Sequence, residues 1–117
     1  MRNSPLIELS KKVSYDSIYI SRELIKLREY SIADQLKRSC TSVGANISEA
    51  IYAESKRDFV HKLHIASKEC SESIYWIRMI KDNNIIKDSR INIMYNTCFS
   101  IQRMLSASIN TVKKTLS

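Results

Sequence analysis

Residues 91–112 read INIMYNTCFSIQRMLSASINTV, and their apolar pattern decides the fold class. Apolar or thiol side chains return every three and then four residues over more than three heptads, interrupted only at Ser108. The members of this stripe are Ile91, Met94, Cys98, Ile101, Leu105 and Val112. Such a period is typical of a helix that buries one face against other helices. The stretch predicts a long amphipathic helix with Asp88 or Ser89 as its N-cap.

The first predicted helix has a clear start and the same apolar period. Pro5 fits the first helical position, with Ser4 before it as the N-cap. The helix is predicted to end near Glu29 or Tyr30. Its stripe consists of Leu6, Leu9, Val13, Ile20, Leu24 and Leu27.

The second and third predicted helices have polar residues at their starts. Ser31 is predicted to cap the second helix, where Asp34 three residues later resembles a capping box. The third is predicted to start around Ser55, with Asp58 at its third position, and to end at residues 82–84 (Asp-Asn-Asn). Their apolar faces are Ile32, Leu36, Cys40, Val43, Ile47 and Ile51 in the second helix, and Phe59, Leu63, Ala66, Cys70, Ile74, Ile77 and Ile80 in the third.

Glycine and proline are almost absent, with Gly44 and Pro5 as the single examples among 117 residues. Sheet proteins need turn residues at regular intervals, and phosphate-binding loops need several glycines close together. The composition therefore disfavours both and indicates long helices joined by short connections. Because this length allows one domain, we predict an all-α, antiparallel up-and-down four-helix bundle spanning residues 1–117.

The cysteines and the apolar runs bear on the cellular compartment. Cys40, Cys70 and Cys98 contain no CxxC pair, which makes a disulfide framework or a zinc site a poor interpretation. We expect three reduced thiols packed as small apolar side chains. No apolar run reaches signal-peptide length at the N-terminus or the ~20 residues of a membrane span. The expected location is the cytoplasm, with no membrane partner.

Two features of the sequence predict self-association. Residues 39–46 are small and polar for a helix interior, and Gly44 alone costs about 1 kcal/mol relative to alanine. Such a segment fits the close approach of another backbone, either within the bundle or from a second subunit. Apolar residues also lie outside the main stripes, namely Ile7, Ile18, Ile25, Ile93, Met104 and Ile109. A neighbouring chain would bury them, the alternative being scattered surface residues. We expect a homo-oligomer that Gly44→Leu breaks.

Two blocks of sequence resemble a known family. Residues 35–50, QLKRSCTSVGANISEA, are similar to the pattern Q-L-x-R-S-x-T-S-I-G-A-N-I-A-E-A of the four-helix-bundle proteins encoded in intervening sequences of bacterial large-subunit ribosomal RNA genes. Residues 68–77, KECSESIYWI, resemble that family's K-E-A-x-E-T-x-Y-W-L. The departures are mild and lie at Val43, Ser48, Ser73 and Ile77.

The resemblance implies several properties beyond the helices. It implies an antiparallel bundle that assembles as a cyclic ring, typically a pentamer, without enzymatic activity, metal or cofactor. Related proteins include the accessory variability proteins of retroelements, basic rings that bind a reverse transcriptase and nucleic acid. The resemblance therefore favours contact with RNA, DNA or a nucleic-acid-processing protein.

The net charge of +7 is unevenly distributed along the chain. Residues 1–28 contain six basic and three acidic residues, residues 29–82 eight of each, and residues 83–117 five basic and one acidic. The excess thus falls on the first and last helices, which are neighbours in an up-and-down bundle. The candidate nucleic-acid-binding residues are Lys11, Lys12, Arg22, Lys26, Arg28, Lys87, Arg90, Arg103, Lys113 and Lys114. A solubilising surface is the alternative interpretation.

The polar residues of the two family blocks favour structure over catalysis. Glu69 and Glu72 lie near Lys68 and opposite the basic Arg38 region, so a structural ion pair or an inter-subunit hydrogen bond is expected rather than an acid and a base. No histidine is placed to activate a serine, so nucleophilic catalysis is disfavoured. The block residues expected at helix or subunit interfaces are Arg38, Ser39, Ser42, Gly44, Asn46, Glu49, Glu69, Glu72, Tyr75 and Trp76. Among them, Asn46 is expected to bridge helices or subunits.

Two further groups of residues have simpler interpretations than the functional ones they suggest. His61 and His64 with Asp58 give one imperfect copy of a di-iron motif that needs two, so surface histidines are expected and no metal. Tyr75 and Trp76 could stack on bases, but anchoring of an interface is the favoured interpretation.

The sequence predicts a non-enzymatic oligomeric scaffold. Its basic surface is expected to contact RNA, DNA or a ribonucleoprotein by sequence-independent electrostatics. The alternative is a ring-shaped adaptor that binds a protein partner without nucleic acid.

Overall fold

The computed structural model describes residues 5–116, which form four helices and the turns between them, without a strand in that range. The helices are α1 (Pro5–Lys26), α2 (Tyr30–Ile51), α3 (Lys56–Asp82) and α4 (Ser89–Leu116). Each helix packs on two others, in the cyclic order α1, α2, α3, α4. The all-α helical bundle is therefore confirmed. The predicted N-cap Ser4 lies outside the described residues.

The core is built from the predicted stripes of all four helices. On α4, the residues from Ile91 to Leu105 that hold the heptad pattern are buried, and Ile109 is buried too. The expectation that Ile109 lies on an outer face is wrong. A straight helix drifts by about 20° per heptad relative to a strict seven-residue repeat, so the buried stripe moves towards Ile109 and leaves Ser108 at its edge. Ile25 and Ile93 are exposed, as expected.

The turn between α1 and α2 comes earlier than predicted. α1 ends at Lys26 rather than near Glu29 or Tyr30. Arg28 has a φ of 63°, and the amides of Arg28 and Glu29 donate to the carbonyls of Ile25 and Leu24 at 2.9 Å each. This pattern is a Schellman closure, usually made by glycine. Leu27 is consequently 53% exposed, and its predicted place in the stripe is wrong.

The helix starts confirm the predicted start of α3 and one of the two residues predicted to cap α4, and they contradict the predicted cap of α2. Ser55 Oγ accepts a hydrogen bond from the Asp58 amide at 3.0 Å. Asp88 Oδ1 accepts one from the Arg90 amide at 2.8 Å, so Asp88 is the cap of α4. Ser31 does not cap α2, because that helix already begins at Tyr30, and its N-cap Glu29 makes no side-chain capping bond.

Hydrogen bonds across the helix contacts define how neighbouring helices pair. Ser14 Oγ lies 3.4 Å from Cys40 O, and Ser21 Oγ donates to Ala33 O at 3.0 Å, so residue numbers rise along α1 as they fall along α2. The three cysteines are buried and unbridged on α2, α3 and α4. Cys70 Sγ donates to Cys98 O at 3.2 Å, which places these two residues at the same level of the core. Within residues 5–116, none of the helices is long and apolar enough to cross a membrane.

Candidate functional site

The basic candidates on α4 lie on a helix that contains no aspartate or glutamate. Residues 89–116 include Arg90, Arg103, Lys113 and Lys114 as their only charged side chains. Arg103, Lys113 and Lys114 are exposed, and Arg90 is half-buried. Residues 89–116 therefore carry four positive side chains and no acidic one, and the N-cap Asp88 pairs with Arg90.

α1 and α4 meet at one end of the bundle through a cation–π contact. The Arg90 guanidinium carbon lies 3.8 Å from the centroid of the Tyr19 ring. Arg22 and Lys26 follow Tyr19 by about one and two turns, and Lys87 closely precedes α4. The structure therefore brings these four cations to the same end of the bundle.

The ten basic candidates do not form one patch. Lys114 is 24 residues beyond Arg90, about 36 Å along the helix axis. Four candidates also pair with acidic neighbours in the chain. These pairs are Lys11–Glu8 at 3.9 Å, Lys12–Asp16 at 3.3 Å, Lys26–Glu23 at 2.9 Å and Arg90–Asp88 at 3.1 Å. The positive charge is thus spread along the bundle and partly neutralised on α1.

An ion-pair network joins α2 to α3 at the two family blocks. Arg38 Nη1 lies 3.0 Å from Glu69 Oε2, and Arg38 also bonds to Glu72. Trp76 Nε1 donates to Glu72 Oε2 at 3.1 Å. Burial raises the pKa of Glu72, but the hydrogen bonds from Arg38 and Trp76 outweigh it and hold the pKa below its ordinary value. A carboxylate held ionised in this way is suited to joining helices rather than to donating a proton.

The serines of this region lie in a buried hydroxyl pair. Ser73 Oγ lies 3.1 Å from Ser39 Oγ and 2.9 Å from Glu69 O. Ser39 Oγ donates to Leu36 O at 3.2 Å. Both serines are fully buried, so the pair satisfies polar groups within the α2–α3 contact.

The remaining polar block residues bond locally or to the next helix. Asn46 Nδ2 donates to Ser42 O at 2.8 Å, a bond within α2 rather than to another helix of the chain. Glu49 Oε1 accepts from Lys62 Nζ at 3.0 Å, which links α2 to α3. Glu49 therefore lies at a contact between helices.

Gly44 lies against α1 of the same chain. A Cβ atom at this position would lie 3.4 Å from Ser14 Oγ and 3.6 Å from Ser10 Oγ. A groove of about 300 Å³ opens beside it, between Ile7 and Ile51. The close approach predicted at Gly44 is therefore made by α1 of the same bundle.

Gly44→Ala is expected to raise the free energy of unfolding by about 0.5–1 kcal/mol, because alanine favours the helix and the new methyl group meets only ordinary contacts. Urea unfolding of the variant beside the wild type measures the change. The matched control is Ala45→Gly at the adjacent exposed position, which should lose a similar amount. A Gly44→Ala protein less stable than the wild type would show that α1 has no room for the methyl group.

The α3–α4 contact carries an aromatic and basic cluster that the sequence did not predict. Arg78 Nη2 donates to Tyr95 OH at 2.8 Å, and Lys81 Nζ lies 4.3 Å from the centroid of the Tyr95 ring. Phe99 meets Tyr95 edge to face, with ring centroids 5.0 Å apart. In the sequence, the i, i+4 spacing of Tyr95 and Phe99 could have indicated that their rings meet on one face of α4.

The histidines do not form a metal site in the described range. His61 and His64 are both exposed. Within residues 5–116 there is no group of three or more histidine, cysteine or acidic side chains arranged to hold a metal ion.

Known proteins place this bundle in a family. The model of the family described as 23S rRNA-intervening sequence protein matches residues 2–107. Among solved structures, the chain is similar to a protein with unknown function from the S23 ribosomal protein family of Bacteroides thetaiotaomicron. The two are 30% identical, with a TM-score of 0.84 over 89% of this chain and 97% of that chain. Among curated proteins, none matches significantly. With the family model covering most of the chain, this protein belongs to the 23S rRNA-intervening sequence protein family.

Proposed function

We propose that this chain is a non-enzymatic binding protein whose basic surface contacts RNA, DNA or a ribonucleoprotein. The observation that carries the proposal is the charge of α4, which has four cations and no carboxylate over residues 89–116. Lysine and arginine side chains on such a surface neutralise phosphates and release condensed counterions. The contact is sequence-independent, since phosphate contacts carry no base information.

The polar sites support binding rather than catalysis. The buried serines Ser39 and Ser73 bond to each other and to backbone carbonyls. Glu72 is committed to Arg38 and Trp76. In this arrangement neither hydroxyl has a base, and the carboxylate serves as a structural anchor.

We further propose that the antiparallel bundle assembles with copies of itself as a cyclic ring. Exposed apolar side chains around the α1–α2 turn support this, with Ile25 48%, Leu27 53% and Tyr30 60% exposed. The pentamer follows from the family resemblance, and five chains of +7 would carry about +35, enough to attract polyanions. Buried, unbridged thiols fit a reducing cytoplasm.

The same apolar cluster favours a second candidate function, a ring-shaped adaptor for a protein partner. Ile25, Leu27 and Tyr30 would then be the contact surface, and the basic residues would only keep the protein soluble. Replacing Ile25, Leu27 and Tyr30 by serine should abolish capture of that partner and leave any nucleic-acid affinity unchanged.

Reversing the charge of α4 tests the leading proposal. Replacing Arg103, Lys113 and Lys114 by glutamate lowers the net charge from +7 to +1. Affinity for duplex DNA is expected to fall by about tenfold or more. The slope of log affinity against log salt should become shallower by about 0.9 for each phosphate that the protein no longer neutralises. Fluorescence anisotropy with a labelled duplex measures both quantities.

The control makes the same charge change on α2 and α3 instead of α4. Lys37, Lys56 and Arg57 are exposed on α2 and at the start of α3, and their replacement by glutamate also gives +1. If the two triple variants lose affinity equally, total charge rather than α4 governs binding. A wild-type protein without affinity at low salt would contradict the proposal and leave the adaptor.

A further inference from the structure

Two edge-to-face ring pairs lie on α3 and α4, and we call their four rings the seam cluster: Tyr75 and Trp76 on α3, and Tyr95 and Phe99 on α4. Tyr95 contacts α3 through Arg78, whereas Trp76 bonds to Glu72 on the side of α3 that pairs with α2. Tyr75 and Trp76 meet edge to face with centroids 4.9 Å apart, as Tyr95 and Phe99 do at 5.0 Å. Tyr75 is 53% exposed and Phe99 38% exposed. Each exposed ring is thus held by a partner ring that is half-buried.

Two hydrogen bonds bring the exposed rings to the same level of the bundle. Ser71 Oγ accepts from Gln102 Nε2 at 2.7 Å, and Arg78 donates to Tyr95 at 2.8 Å. Tyr75 lies one turn from both Ser71 and Arg78 on α3. Phe99 likewise lies one turn from both Gln102 and Tyr95 on α4. Tyr75 and Phe99 therefore lie at a similar level of the bundle, on adjacent helices.

The charges around the seam cluster favour an anionic partner. Lys68, Arg78 and Lys81 are exposed on α3, and Arg78 and Lys81 both contact Tyr95. Of the nearby carboxylates, Glu72 is taken up by Arg38 and Trp76, and Asp82 lies in the field of Arg78. Exposed rings beside cations are the combination that binds single-stranded nucleic acid, with bases stacking on rings and phosphates on the cations.

We propose that the seam cluster binds single-stranded RNA or DNA by stacking bases on Tyr75 and Phe99, with Arg78 and Lys81 holding the phosphates. This proposal rests on the proposed function, since it assumes nucleic-acid binding, and it adds a second surface and a preference for single strands. Paired bases in a duplex are not free for such stacking, so the seam cluster contributes to single-strand affinity alone.

Ring removal tests the proposal with labelled oligo(dT) and a labelled duplex of the same length. Tyr75→Ala and Phe99→Leu are each expected to weaken oligo(dT) binding by roughly 5- to 150-fold and to leave duplex binding unchanged. Phe99→Leu keeps apolar volume but removes the π face. Tyr75→Phe keeps the ring and should bind as the wild type does.

Intrinsic fluorescence gives a second readout. Trp76 is the single tryptophan and lies edge-on to Tyr75. Addition of oligo(dT) should quench its emission in the wild type but not in Tyr75→Ala. Tyr52→Ala, at an 82% exposed tyrosine just after α2, is the control and should behave as the wild type.

The outcomes separate this proposal from the α4 proposal. Equal losses for oligo(dT) and duplex, or no loss for either ring variant, would overturn the seam cluster and leave the α4 surface standing. If Tyr75→Ala changes the oligomeric mass but not the oligo(dT) affinity, the seam cluster is an interface between copies. That result would overturn the proposal that it binds single strands. Loss of oligo(dT) binding in the ring variants, combined with no effect of the α4 reversal, would support the seam cluster and contradict the α4 surface.

Discussion

Raising the pH from about 9 to about 10.5 is expected to lower the free energy of unfolding by about 1.6 kcal/mol through Cys40 alone. Burial raises the pKa of the Cys40 thiol from 9.0 to about 12. The hydrogen bond with Cys70, and then burial, raise the pKa of Cys98 in the same direction. Both side chains are buried in the bundle core, where a thiolate would be poorly solvated.

Stability falls as the pH rises because the folded and unfolded states bind different numbers of protons. Above pH 9.0 the unfolded thiol ionises while the folded thiol keeps its proton. The unfolded state then binds fewer protons, so stability falls as pH rises, by about 1.36 kcal/mol per unit and per thiol at full effect. The contribution of Cys40 is complete below pH 9.0 and is lost by the time the pH reaches about 12.

Urea unfolding at a series of alkaline pH values, with Cys40→Ala beside the wild type, measures this effect. The variant should lose stability less steeply with pH, since tyrosines and lysines titrate alike in both proteins. Parallel curves for the two proteins would show that Cys40 is not protected from ionisation in the folded state.

Ile77→Ala is expected to lower the free energy of unfolding by about 2–5 kcal/mol. Ile77 is fully buried in α3, so the shorter side chain loses apolar burial and leaves a cavity. For a domain of this size, with total stability of about 5–15 kcal/mol, that loss is large. Thermal and urea unfolding followed by helical circular dichroism measure the change.

Ile93→Ala makes the same chemical change on the outside of the bundle. Ile93 is 41% exposed on α4, so its loss should cost less than about 1 kcal/mol. Similar losses for the two variants would mean either that the α3 stripe is not the core or that Ile93 is buried by another chain. The oligomeric mass of Ile93→Ala distinguishes these two explanations.

The apolar period predicted the bundle because burial itself follows that period. Ile77 and Met94 are buried where the helical spacing places them. Helix ends were harder to predict, since they depend on single backbone conformations. Asn84, with a φ of 51°, carries the residue type that favours a left-handed turn, and the end of α3 was predicted there. Arg28 adopts the same conformation without that signal, so the end of α1 was placed about one turn too late.

The candidate site was predictable in composition but not in arrangement. Counting charges identified α4 as basic, because composition depends on sequence alone. The distance between Arg90 and Lys114 follows from the structure of α4 and shows that the cations do not converge. The seam cluster depends on Arg78 meeting Tyr95 from another helix, which no local pattern reveals.

The polar residues of the family blocks show why their roles were easier to predict. Arg38, Glu69 and Glu72 lie on consecutive helices, and opposite charges on packed helices pair readily. The prediction of an ion pair was therefore correct. The partner of Asn46 was harder to predict, because its side-chain amide can bond equally well to the backbone of its own helix or to a neighbouring helix. In the structure it donates to Ser42 O of its own helix.

The most direct test of the central claim, electrostatic binding of nucleic acid, is the anisotropy of labelled structured RNA and duplex DNA titrated with the wild-type protein from low to physiological salt. We predict micromolar or tighter binding whose logarithm falls linearly with the logarithm of salt concentration. Affinity that does not change with salt, or no binding at low salt, would contradict the account.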